Sequence, residues 1–310
     1  MPQEINNVVV LGIMKATGNL GPYIVSGLVT AGFRVTVLSR NQPDSNAVIS
    51  AAAEVLQSDY TYPSLVEAFK SQDAVISTIA TMNVQQQVRI IDAAVAAKVK
   101  RFIPSDFGSD SSVEGEEHVT GFLKDKQEVV RYLRTKEADG LSWTSLCTGP
   151  WVDWLLEEGH GLLGIDIRSK TATIIDSGNQ EFTTSTMPMV TKATASILLR
   201  PEETKNKYVH VDSFTLTQNL LLEAVERVMR TKFSREKTSR EDLLALATKH
   251  LEEGDYDNGY YEMVNTVVYS GPPVSLFPGR AIQGKKLLGL VEAEDLDEVV
   301  KGVLAKIEKS

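Results

Sequence analysis

The sequence predicts an α/β protein: a Rossmann-like doubly wound parallel sheet with a smaller α+β substrate-binding region. Three observations carry this. Strand and helix signals alternate through the first half of the chain, a glycine-rich turn joins the first strand to the first helix, and the pattern changes after Gly149-Pro150. Such alternation sets parallel strands side by side, with helices on both faces and right-handed crossovers.

The elements follow in order. Val8 to Leu11 is a β-branched apolar run, as expected of a strand buried on both faces. Asn19 to Ala31 is helical and stops at Gly32, Phe33 to Leu38 is the second strand, and a short third strand precedes Asp59. Leu65 to Lys70 is helical and Ala74 to Ile79 a strand. Val84 to Ala97 is a helix with Val88, Ile90, Ile91, Ala94 and Val95 on a broad apolar face. Arg101 to Pro104 ends a strand, Glu116 to Ala138 carries a long helix, and Leu141 to Leu146 is a strand. Beyond Pro150, two short β-rich pieces (Gly164 to Ile167, Thr171 to Ile175) surround a polar turn. Met189 to Leu199 is helical, a strand lies near Tyr208 to Val211, and helices cover Thr217 to Arg230, Ser239 to Leu251 and Leu296 to Ile307. The stretch 270–286, rich in Gly and Pro, reads as loop. The expected organisation is a dinucleotide-binding domain over 1–150 with return segments near 183–213, and a substrate-binding region over most of 151–310.

Composition narrows the function. With 310 residues, 42% hydrophobic and 24% charged, the chain can bury one large core or two smaller ones, which excludes disordered, collagen-like and disulfide-stapled classes. The net charge is −9 with no local basic patch, so nucleic acid is not an expected partner. The single cysteine, Cys147, excludes an internal disulfide and cysteine-rich zinc sites. It lies in a predicted buried strand with no evident base and reads as structural. Histidines 118, 160, 210 and 250 have no metal-ligand spacing and read as surface or loop residues, so no metal is expected. No apolar run reaches the ~18–20 residues of a membrane span, and MPQEINN lacks the basic-then-apolar order of a signal peptide. The expectation is a cytosolic monomer or homodimer that handles a small molecule and has no nucleic-acid or membrane partner.

Two local motifs point to a cofactor. The run Val8-Val9-Val10-Leu11-Gly12, then Ala16-Thr17-Gly18-Asn19-Leu20-Gly21, leads into the first helix. In such a turn the backbone N–H groups and the positive helix end meet a pyrophosphate, which makes Gly12, Thr17, Gly18, Asn19, Leu20 and Gly21 candidate cofactor contacts. A plain strand–turn–helix is the alternative. Gly12 and Gly18 are six residues apart, so Ile13-Met14-Lys15 reads as a three-residue insert, expected to bulge outward and leave binding intact. The second strand ends in Ser39-Arg40. A guanidinium there suits a 2′-phosphate, which it holds bidentately, so Arg40 argues for NADP(H) over NAD; the alternative is a solvated arginine. Asp59 is placed to face the adenine.

Further runs are Lys100-Arg101-Phe102-Ile103-Pro104-Ser105-Asp106-Phe107-Gly108, Leu141-Ser142-Trp143-Thr144 and Thr148-Gly149-Pro150-Trp151. With the two motifs above, they make the chain resemble the NmrA-like, atypical short-chain dehydrogenases, which include isoflavone reductase and phenylcoumaran benzylic ether reductase. The fungal branch is the nearest in flavour. The resemblance implies a Rossmann-like domain, NADPH, and hydride delivery to a small, often aromatic or polyketide-like metabolite. Of the usual Tyr-x-x-x-Lys pair there is one match, Tyr132 to Lys136, but Lys136 lies five residues before the strand at Leu141, far from the cofactor edge. Lys126 lies fifteen residues before Leu141, about 22 Å along a helix and roughly the length of a sheet. Phe122 stands where the tyrosine would be. The resemblance implies that Lys126 acts alone, binding ribose hydroxyls or serving as general acid or base; Lys124 is the nearby competitor, and a solvated lysine the plain alternative. Thr78, Ile79 and Ser105, at strand ends, are further cofactor candidates. By resemblance, Thr148, Gly149 and Pro150 flank the nicotinamide. Phe107, Phe122, Trp151 and Trp154 are the candidate substrate contacts, the tryptophans reading equally well as interface packing. Alternatives to the reductase are an NADP-binding regulatory protein and a non-redox enzyme on the same scaffold. Lys126 favours the reductase, since the resemblance implies that purely regulatory members generally lack it.

Overall fold

The computed structural model describes residues 4–12, 20–40, 54–79, 85–113, 121–159 and 161–309. Among the described residues, seven strands form one sheet in the order β10-β6-β5-β4-β1-β2-β3. These are β1 (Asn7–Leu11), β2 (Arg34–Ser39), β3 (Glu54–Gln57), β4 (Ala74–Ser77), β5 (Arg101–Ile103), β6 (Ser142–Cys147) and β10 (Lys207–His210). Every pairing is parallel. The expected Rossmann-like α/β architecture is therefore the observed one.

The apolar run of β1 is sandwiched because side chains alternate across a strand. Val8 and Val10 join Val35, Val37 and Ile76 in a core covered by α1 (Gly21–Thr30) and α6 (Met187–Leu199). Val9 and Leu11 face the other way, beneath α2 (Tyr62–Ala68), α3 (Gln87–Ala96) and α4 (Gly121–Thr135). Thus α6 and β10 bring the chain back from the second half to complete both a face and an edge of the first sheet.

A second core lies under α5 (Val152–Glu158), α7 (Gln218–Met229) and α11 (Leu296–Ile307). It includes β7 (Ile165–Asp166) and β8 (Thr171–Ile175), which pair antiparallel, while β12 (Ser234–Thr238) adds to β8 in parallel. A separate antiparallel pair joins β9 (Glu181–Thr184) to β11 (Phe214–Thr217). Among the described residues, no helix is long and apolar enough to cross a membrane.

Two expectations are corrected. The stretch 270–286 is not all loop: α10 (Pro278–Leu288) begins within it. Pro278 occupies the first helical position, where its missing N–H costs nothing. Gly284 is in the helix for packing, since a Cβ there would come within 1.9 Å of the His210 carbonyl oxygen on β10. The unassigned stretch after the helix expected to end at Leu251 holds a helix as well. It is α9 (Tyr256–Val268), which packs on α8 (Arg240–Glu252). Its Gly259 faces Leu251, whose Cγ would be 2.8 Å from an added Cβ. Of the long helix expected from Glu116, positions 116–120 lie outside the described residues, and α4 runs from Gly121 to Thr135.

Candidate active site

The carboxyl ends of the parallel strands converge on one edge. Gly12 follows β1 with φ +94°, and a Cβ there would lie 2.6 Å from Ile79 N, so the crossing against β4 admits only glycine. Thr78 secures that crossing by donating from both its N–H and its hydroxyl to Leu11 O, at 2.8 and 2.9 Å. Gly12 N–H donates to Tyr60 Oη at 3.3 Å, and Tyr60 Oη donates to Leu38 O at 2.9 Å. Tyr60 thus locks the ends of β1 and β2 together; sequence reasoning missed it because nothing local marks this contact. Leu20 is buried and Gly21 opens α1. Thr17, Gly18 and Asn19, with Ile13-Met14-Lys15, lie outside the described residues.

A cavity of about 600 Å³ opens beside this crossing, with Arg40, Asp59, Tyr60, Gln85, Arg89 and Ile90 in its lining. The Arg40 guanidinium stands over the Tyr60 ring, 5.9 Å from its centre. Ser39 is buried and its carbonyl accepts from Ser58 N–H at 2.9 Å. The Thr61 N–H and hydroxyl donate to the Asp59 carboxylate at 3.0 and 2.8 Å, holding its pKa below the ordinary value.

Lys126 projects from α4 with its side chain only 12% exposed. Its Nζ donates to the Asp106 carbonyl and lies 3.8 Å from Asp106 Oδ1. Asp106 Oδ2 accepts from the Ser111 and Ser145 hydroxyls, whereas Oδ1 has no hydrogen-bond partner among the described residues. Burial raises the Asp106 carboxyl, while the Lys126 charge and the two serines work in the opposite direction. Nearby strand ends are tied to this loop. Ser105 N–H donates to Gln87 Oε1 at 2.8 Å and Ser105 Oγ donates to Ile79 O at 2.6 Å. Thr148 and Gly149 N–H groups both donate to Gly108 O at 2.9 Å, which brings the Thr148-Gly149-Pro150 turn to the lysine loop.

The aromatic candidates divide. Phe107 is buried in the α1–α6 core, where Trp151 and Trp154 pack against it. The two indoles meet edge to face at 5.8 Å, Trp151 Nε1 donates to Thr148 Oγ1 at 3.2 Å, and Trp154 also reaches the second core. Phe122 lies in α4, one turn before Lys126, and its side chain is outside the described residues. Lys124 is exposed. The Tyr132 and Lys136 pair is held elsewhere, both on Asp92 of α3, at 2.6 and 2.8 Å.

Two further readings are corrected. His210 is not a surface or loop residue: it ends β10, buried, with Nε2 2.9 Å from Asp110 Oδ2. Nor is Cys147 remote from a base, because the β10–β6 register pairs it with His210, and its Sγ lies 3.7 Å from Asp110 Oδ1. Arg280 of α10 pairs with the same carboxylate. Burial alone would raise the Asp110 carboxyl, but the adjacent His210 imidazole and the Ser112 N–H and hydroxyl, which donate to Oδ1 at 2.9 and 2.5 Å, hold it low. Burial, with Asp106 and Asp110 adding to it, pushes the Cys147 thiol well up, so it stays protonated and unreactive. The cluster fastens α10 to the sheet edge. His118 and His160 lie outside the described residues.

Residues 6–271 match the model of the NmrA-like family. The chain belongs to the NmrA-like family. The resemblance drawn from its motifs therefore holds. Among its relatives, "Oxidoreductase aprR" of Aspergillus flavus is 38% identical over 246 residues, covering 78% of this chain and 81% of that protein. "Isoflavone reductase" of Glycine max is 28% identical over 312 residues, covering 92% and 91%. In three dimensions, this NmrA-like chain shares its fold with the leucoanthocyanidin reductase–NADPH complex of Vitis vinifera. That match has a TM-score of 0.77 at 18% identity, over 97% of this chain and 100% of the other. The structure "AtPrR2 with NADP+ and (+)pinoresinol" matches with a TM-score of 0.74 at 24% identity, over 98% and 100%.

Proposed function

We propose that this NmrA-like protein is an NADPH-dependent reductase of a small, aromatic or polyketide-like secondary metabolite, with Lys126 as general acid/base. The observation that carries the reading is a nearly buried lysine at the carboxyl edge of a parallel sheet, where ligands of such folds bind. Relatives named as oxidoreductases and isoflavone reductases support it, as do related folds whose titles name NADP+ or NADPH.

The residues present fit the dinucleotide. The Gly12 crossing leaves no room for a side chain beside the pyrophosphate turn, and Arg40 lines a cavity of suitable size. Gly12, Leu20 and Gly21, with Thr17, Gly18 and Asn19, would hold the pyrophosphate. Ser39 and Arg40 would hold the 2′-phosphate, and Asp59 the adenine end. Thr78, Ile79, Ser105, Thr148, Gly149 and Pro150 would flank the nicotinamide. When bound, NADPH supplies the hydride.

Lys126 carries the proton side of the reaction. Its Nζ is directed by the Asp106 carbonyl and faces the Asp106 carboxyl group, so it can donate to an acceptor oxygen as negative charge develops there. The 151–310 region, with Trp151 and Trp154 at its junction with the sheet, would shape the acceptor's pocket together with Phe107 and Phe122. Fluorescence titration with NADPH and NADH tests the reading. One charge-assisted pair at Arg40, worth roughly 1.5–3 kcal/mol, gives at least a tenfold preference for NADPH. Equal affinities, or an unchanged preference in Arg40→Ala, would overturn it.

A further inference from the structure

We propose that Arg89 of α3 is the second cation of the 2′-phosphate site, in the lining of the same cavity as Arg40; this rests on the NADPH reading above. The two arginines come from separate elements, Arg40 after β2 and Arg89 from the first turn of α3, and line the same 600 Å³ space. Their circumstances differ. Arg40 stands over a Tyr60 ring whose hydroxyl is pinned between Gly12 N–H and Leu38 O, so that wall is fixed. Arg89 is exposed and has no hydrogen-bond or ion-pair partner among the described residues.

Charge balance among the described lining residues favours the second arginine. Asp59 lines the cavity too, and its low pKa keeps it ionised. Among the described lining residues one carboxylate offsets one guanidinium, so a second cation adds to the preference that the Arg40 pair gives a phosphate dianion over a hydroxyl. Arg89 makes the described lining net positive. It does so at a local cost, because a cation in the first turn of a helix is opposed by the helix's positive end, and no acid in that turn offsets it. The other side chains from this part of the chain, Gln85, Gln86, Val88 and Ile90, are uncharged. They suit contact with a flat base, and Arg89 supplies the charge.

Calorimetry with two nucleotide probes, 2′,5′-ADP and 5′-AMP, separates phosphate recognition from base recognition without any turnover. Arg89→Gln keeps the polarity of the side chain and removes its charge at an exposed position, so circular dichroism should be unchanged. It should weaken 2′,5′-ADP about tenfold and leave 5′-AMP nearly unaffected, with Arg89→Lys recovering part of the loss. Equal weakening of both probes would make Arg89 a base contact and overturn the proposal, as would no weakening of either. Failure of the wild type to bind 2′,5′-ADP at all would remove the NADPH reading itself, and is distinguishable from a failure confined to the Arg89 variants.

Discussion

Two buried ionisable side chains mark the ends of β5, Arg101 at its start and Asp106 just beyond its end, and they are treated differently. At the start of the strand, Arg101 is 1% exposed and each of its guanidinium nitrogens has a hydrogen-bond partner. Nε donates to Ser142 Oγ at 2.9 Å, Nη1 to Thr144 Oγ1 and Thr204 Oγ1 at 2.7 and 3.0 Å, and Nη2 to the Pro201 carbonyl. Burial lowers its pKa to about 10, with Glu202 acting the other way. Just beyond the other end, Asp106 has one oxygen satisfied by two serines and the other facing Lys126, 3.8 Å away. An unsatisfied buried polar atom costs about 1–3 kcal/mol. Completing the set, as at Arg101, stabilises the fold; at Asp106 the open oxygen faces the Lys126 ammonium instead. The sheet's direction sorts the two, because its carboxyl edge is the ligand edge.

The contrast breaks first at the lysine. Lys126→Ala should lose on the order of 10²–10⁴ in turnover while melting close to the wild type. Lys136→Ala should be near normal, because its partner is Asp92 on the flank of the sheet. An inactive Lys136 variant with an active Lys126 variant would exchange the roles of the two ends of α4. At the opposite end of β5, Arg101→Ala leaves a cavity and strands several acceptors. It should cost roughly 3–5 kcal/mol of stability in chemical denaturation, with the kcat of the folded fraction little changed. A variant that is stable but inactive would mean that Arg101 is not purely structural.

Asp106→Asn sharpens the comparison with the smallest effect. Losing the carboxyl oxygen that faces Lys126 should lower kcat about tenfold. Stability carries a signed signature as well. A carboxyl raised above the ordinary 3.8 contributes stability that is fully present below that value and lost as pH rises through its folded pKa. The unfolding free energy of the wild type relative to Asp106→Asn should therefore fall as pH is raised from about 4. A difference that grows with pH would show that the Lys126 charge outweighs burial.

Much of this molecule follows from local pattern. The apolar run of β1, the alternation of strands and helices, and the bounds of α11 at Leu296 and Ile307 all reflect side-chain periodicity, which any segment carries by itself. So does the reach of Lys126, since helical rise per residue and chain spacing set how far it lies from β6. The rest depends on which distant segments meet. Proline and glycine inside 270–286 look like breakers until β10 lies close enough to α10 to require Gly284. His210 and Cys147 become neighbours only when β10 pairs with β6, and Tyr60 joins Gly12 to Leu38 only when β1, β2 and β3 are side by side. Those contacts depend on long-range strand order and close packing, and neither is written in the hydrophobic period of any one segment.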